Sequence, residues 1–124
     1  MKVFYVTEKD AKVIDIASDN WEIYNDLIGS RVFDIANRKV GDTRFDIYID
    51  DEGLFAENLR ISGGRFKKNG EFEPMLVGNL VFTHSDNEGN TIGITDRDVK
   101  TIKDNIVFAV DIFDRLIPVV LMEY

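Results

Sequence analysis

The stretch "LVGNLVFTHSDNEGNTIGIT", residues 76–95, decides how this chain folds. "MLVGNLVFTH" (75–84) reads as one strand, and "SDNEGN" is a polar turn in which Gly89 suits a positive φ. "TIGI" is a second strand fragment. Just beyond it, Thr95 and Asp98 stand at the spacing of a helix N-cap and its capping box. Strand, turn, strand and helix start, in that order, set a helix against a sheet. The same stretch holds the only histidine, His84.

Toward the N-terminus, "KVFYV" (2–6) and "AKVIDI" (11–16) are β-rich runs around the turn-like "TEKD", and they read as a hairpin. "SDNWEIYNDLIG" (18–29) follows. Ser18 or Asp19 caps a helix there, and Asp19 with Glu22 has capping-box spacing. Trp21, Tyr24, Leu27 and Ile28 share a helical face, and Gly29 supplies the stop. "RVFDIAN" (31–37) and "TRFDIYID" (43–50) alternate, with Phe45, Ile47 and Ile49 on one side, and "RKVGD" turns between them. Residues 51–74 show little periodicity and read as a long functional or mobile connection. That connection carries a basic cluster of Arg60, Arg65, Lys67 and Lys68.

Beyond Thr95, Val99, Ile102, Ile106, Ala109, Phe113 and Leu116 keep helical spacing, so a helix could run to about Leu116. "NIVFAV" (105–110) reads equally as a strand. Pro118 stops any helix, and "PVVLMEY" (118–124) reads as a final strand able to pair with another subunit. The expectation is a single domain over residues 1–124. Its class is α+β, a mostly antiparallel sheet with two helices packed on one face.

Bulk composition narrows the function. The chain has 124 residues, 44% hydrophobic and 31% charged, as a globular protein does. Its longest late apolar run, "LIPVVLM", is far short of the roughly 20 residues a membrane span needs. The five-residue patch at the start is too short for a secretory signal. The expected location is the cytoplasm. Without cysteine there is no disulfide, thiolate zinc site or thiol nucleophile. A net charge of −8 repels a nucleic-acid backbone, so direct nucleic-acid binding is disfavoured. A local arginine pair still suits a small anion.

No motif carries catalysis. His84 stands without partners of metal-ligand spacing, and "DNEGN" lacks the donors of a calcium loop. "SGG" (62–64) is not a P-loop, because no GK[ST] follows. It reads as a flexible loop, or as glycines that admit a phosphate beside Arg60 and Arg65. Asp96 and Asp98 sit in a first helical turn, where carboxylates offset the helix dipole. Phe82 reads either as core or as a ring on which a base stacks. The expectation is a non-enzymatic protein without metal or cofactor.

Three segments resemble the phage-enriched family called domain of unknown function 3846. They are the step from Asp51 to Asn58, the "VGNLV" strand (77–81), and "DNEGNTIGITDRD" (86–98), with Ile94 in place of leucine. In length and in its start the chain also resembles the Thoeris anti-defence protein 1 family of phages. That resemblance implies a sponge for the cyclic ADP-ribose isomer made by bacterial TIR enzymes, with cyclic oligonucleotides bound at a second site of a hexamer. It carries over Phe82, Asp96 and Arg97. Ile92 stands where the amide of such a pocket is expected, and Asn90 is the nearest candidate. Arg60 and Arg65 for phosphate and His84 at the strand end complete the expected ligand-binding set. The implied partners are a small nucleotide signal and further copies of the chain, as dimer or hexamer. The alternative is an acidic inhibitor or DNA mimic that binds a host protein, and a hydrolase of the same signal is the third class.

Overall fold

The structure, a computed structural model, describes residues 1–17, 20–51, 60–111 and 113–124. Its first sheet is built from β1 (Lys2–Val6), β2 (Ala11–Asp15), β3 (Phe33–Val40), β4 (Thr43–Asp50) and β7 (Leu80–Ser85), in the order β2-β1-β7-β4-β3. The short β8 (Thr91–Ile92) pairs with the end of β7, so the turn in the opening stretch closes a hairpin as expected. A second sheet runs β6-β5-β10-β9, from β5 (Ile61–Phe66), β6 (Phe72–Val77), β9 (Ile106–Val110) and β10 (Leu116–Leu121). All pairings are antiparallel except β5 with β10. The α+β class and the mostly antiparallel pairing are as the sequence implies.

Strand alternation divides the apolar side chains into two cores. Phe4, Val6, Phe45, Ile47, Leu80 and Phe82 face inward toward Leu76, Val120 and Met122 of the second sheet. Val3, Tyr48 and Val81 point the other way, onto Tyr24 and Ile28 of α1 (Trp21–Ile28). The second helix, α2 (Asp96–Asp104), contributes Ile102 to the first core. The two helices therefore lie on opposite faces of the first sheet, not on one face as the sequence suggested.

Local signals explain both helices. Asn20 caps α1, its side chain accepting from the Glu22 N–H, and Gly29 ends it at φ 77°. The expected cap at Ser18 or Asp19 falls outside the described residues. Trp21 is exposed while Tyr24 and Ile28 are buried, so the apolar face begins one turn later than its spacing suggests. Thr95 and Asp98 form the expected capping box of α2. That helix stops at Asp104, and Asn105 donates its side-chain amide to the Thr101 carbonyl. The β-branched run that follows is the strand β9, paired with β10 from Ile106↔Val120 to Val110↔Leu116. The helical spacing beyond residue 105 has no structural counterpart.

Further expectations change. The run 75–84 is not one strand: it is the end of β6 and most of β7, which lie in different sheets, and the chain turns between them at Gly78, φ 76°. The span 51–74 contains a strand hairpin, β5 and the start of β6, rather than one long connection. "SGG" lies inside β5 with all three residues buried, so it is no phosphate loop. A Cβ at Gly64 would run into the Phe72 ring and sit 2.5 Å from the Glu73 carbonyl oxygen. Glycine is there for close packing, and it hides the strand's alternation. Gly64→Ala is expected to cost about 1–3 kcal/mol of stability, because backbone must move. Gly63→Ala should cost less, since its Cβ meets the flexible end of Met122. Denaturant melts of the two variants check the order. Finally, β10 is an interior strand between β5 and β9, with Ile117, Val119, Val120 and Met122 buried. It is not a free strand offered to another subunit. Pro118 is tolerated because β10 pairs with β5 only at Val120 and Leu121.

Candidate functional site

A cavity of about 750 Å³ opens along the second sheet. Val107, Ala109 and Val110 of β9 line it, with Ile117 and Val119 of β10 and Ile61 of β5. Four phenyl rings join them: Phe66, Phe72, Phe108 and Phe113. The size falls within the range of small-molecule sites, and the mostly apolar wall with few polar groups is typical of them.

The polar rim is Glu8, Arg60, Asp111 and Arg115. Asp111 accepts the N–H groups of Phe113 and Arg115, a turn that a leading aspartate favours. The backbone hydrogen bond from Arg115 leads in holding the Asp111 carboxyl below its ordinary range. Arg115 then returns its Nε to Asp111 Oδ2 at 2.9 Å, reaches Glu8 at 3.6 Å and lies over the Phe113 ring. That guanidinium is committed.

Arg60 is less so. Its Nη2 donates to Asn79 Oδ1 at 2.6 Å. Asn79 in turn donates to the Tyr5 hydroxyl at 3.2 Å and to the Leu27 carbonyl at 3.0 Å. This chain of bonds ties the end of α1 to the rim of the cavity. Burial lowers the Arg60 pKa from its ordinary value, because desolvation penalises the charge. Its Nη1 is buried with no hydrogen-bond partner among the described residues. A half-satisfied buried guanidinium is a standing cost.

The expected ligand set does not come together. Arg60 reaches the cavity and Arg65 does not. Arg65 sits between Glu73 at 2.8 Å and Glu123 at 3.0 Å, beside a smaller hollow of about 330 Å³. Phe82 is fully buried, edge-on to Phe4 and Phe45, so it offers no face to a base. The stacking-platform reading is corrected by that burial. His84 stacks on Phe45, and its Nε2 meets Asp98 Oδ2 at 2.8 Å. Asn90 folds back onto Asp86 within the β7–β8 turn. Asp96 and Arg97 project into solvent at the start of α2, within 3.9 Å of Lys2 and 3.8 Å of Asp42 respectively. Among the described residues, no three of His, Asp and Glu converge as a metal-ligand set. No helix there is long and apolar enough to cross a membrane.

Sequence reasoning missed the aromatic wall, Asn79 and Arg115. The signal present was the "DIFDR" run (111–115), whose leading aspartate marks a turn. The phenylalanines gave no such signal, because a ring in a strand reads as core until the sheet order is known.

A scan against family models matches residues 1–106. No curated protein and no solved structure matches the chain. The match stops at the first residue of β9, so much of the cavity wall lies beyond it. The chain belongs to the family described as Domain of unknown function (DUF3846).

Proposed function

We propose that this protein binds and sequesters a small nucleotide-derived signal without cleaving it. The cavity carries the reading. Four phenyl rings supply faces or edges for a base, and apolar walls exclude water. Among the described residues the Arg60 Nη1 has no hydrogen-bond partner, and an anion in the cavity would supply one. The resemblance to phage anti-defence sponges gives the ligand class, a cyclic ADP-ribose isomer or a cyclic oligonucleotide, in the cytoplasm of an infected host. A homo-oligomer is part of the same proposal.

The test is direct. The protein is incubated with cyclic ADP-ribose and a set of cyclic dinucleotides, stripped of free ligand, heat-denatured, and the supernatant analysed. An intact released nucleotide supports sequestration, and a hydrolysed one supports an enzyme. If nothing is released, the reading fails. With a bound nucleotide in hand, Arg60→Met should weaken it by about 1.5–3 kcal/mol, the scale of a hydrogen bond to a charged group. Arg65→Ala should leave affinity unchanged, because that side chain is held by two glutamates away from the cavity. Titration calorimetry on both variants checks the contrast.

The second reading, an inhibitor that grips a host protein, is favoured by one observation. Phe66, Phe108, Val110 and Phe113 of the cavity lining are all exposed, and exposed apolar patches mark contact surfaces.

A further inference from the structure

The second sheet is apolar on both faces. Val120 and Met122 turn inward to the first core. Alternation along β10 sets Ile117 and Val119 on the opposite face, where both are buried outside the two cores. In register they face Ala109 and Val107 of β9, and these four side chains form an aliphatic wall of the 750 Å³ cavity. Of its fourteen described lining residues ten are apolar, so most of any occupant lies against groups that neither donate nor accept. That part of the occupant must have no hydrogen bonds to lose. The polar end is different. Arg115 is divided between Asp111 and Glu8. Arg60 gives Nη2 to Asn79, while Nη1 is buried without a hydrogen-bond partner among the described residues. One buried, unanswered cationic donor beside an aliphatic wall calls for one anionic head on an aliphatic body.

We propose that the cavity binds a free fatty acid, its carboxylate on Arg60 and its chain along Val107, Ala109, Ile117 and Val119. The guanidinium selects the head. An uncharged chain would cover the wall and leave the Arg60 donor buried and unmatched, whereas a carboxylate answers it with a charge-assisted bond. The net charge selects the source. At −8 the chain is repelled by an anionic bilayer surface, so the occupant is a free acid and not a lipid held in a membrane. The proposal goes beyond the nucleotide reading and does not rest on it, and the two ligands would compete for Arg60.

Titration calorimetry with octanoate, decanoate and dodecanoate, each below its micelle concentration, tests the proposal. Affinity should rise with length, by up to about fourfold per buried CH2. Dodecan-1-ol should bind about tenfold or more weakly than dodecanoate, the scale of a hydrogen bond to a charged group. Arg60→Met should erase that preference for the acid. Ala109→Trp, at an exposed position on the cavity wall, should fill the space and abolish dodecanoate binding with the melting temperature unchanged. No saturable binding of dodecanoate, an affinity flat in chain length, an alcohol bound as tightly as the acid, or binding that survives Ala109→Trp overturns the proposal. So does a protein that sediments with phosphatidylglycerol vesicles and ignores dodecanoate. Nucleotide release without fatty-acid binding would sink this proposal and leave the nucleotide reading standing, and the converse result would do the reverse. If Arg60→Met does not fold, the alcohol comparison and Ala109→Trp decide.

Discussion

Phe82→Ala will cost about 3–5 kcal/mol of folding stability, the cost of emptying a fully packed phenylalanine site. Phe82 sits on the central strand of the first sheet, paired on one side with Phe4 and on the other with Ile47. Its ring is edge-on to Phe4 at 6.2 Å and to Phe45 at 5.8 Å between centroids. None of its surface reaches solvent. Truncation removes apolar burial and two edge contacts, and both sheets border the space left behind. A small domain has about 5–15 kcal/mol in total, so the variant will be marginal at room temperature. Denaturant unfolding followed by fluorescence measures the loss. A variant within about 1 kcal/mol of wild type would show the site collapsing freely, contrary to a core bounded by two sheets.

The elements around the opening stretch were legible because each signal was local. Thr95 and Asp98 announce α2, Gly29 ends α1, and the alternation of Phe45, Ile47 and Ile49 gives β4 its inner face. What was hidden depends on long-range pairing. Gly63 and Gly64 interrupt the pattern of β5, and their reason, the nearness of Met122 and Phe72, lies in other strands. Helical spacing from Ile106 to Leu116 was coincidental, and only the pairing with β10 turns that run into a strand. The site was less legible still. Arg60 was identified from charge alone, while Arg65 was spent on Glu73 and Glu123, partners a reader of the sequence cannot place. Phe82 reads the same as Phe108 by type, yet sheet order buries the first among strands and leaves the second on an edge. Composition fixes how many rings there are, and topology fixes which of them line the cavity.

Asp98→Ala will cost about 2–5 kcal/mol and will flatten the protein's response to acid. Asp98 is buried at the third position of α2, where Oδ2 accepts the Thr95 N–H at 2.8 Å. The same oxygen meets His84 Nε2 at 2.8 Å, joining the helix start to the end of β7. Loss of one cap is worth about 1–2 kcal/mol, and stranding a half-buried imidazole adds about 1–3 kcal/mol. Burial by itself would raise the Asp98 pKa. The Thr95 N–H and the His84 contact outweigh that and hold the carboxyl below its ordinary value of 3.8. A carboxyl with a lowered pKa in the folded state contributes stability that is present above the unfolded value. That contribution is lost as pH falls through the folded value. Wild-type melting temperature should therefore fall on acidification below about pH 4 more steeply than that of Asp98→Asn. Asp98→Asn keeps an acceptor for the Thr95 N–H and has no proton to gain, so it separates the charge from the hydrogen bond. Parallel acid-dependent melts of wild type, Asp98→Asn and Asp98→Ala would count against this account if all three curves had one slope. In that case the His84–Asp98 contact would contribute no charge-dependent stability, and the join between β7 and α2 would rest on Ile102 and its apolar neighbours.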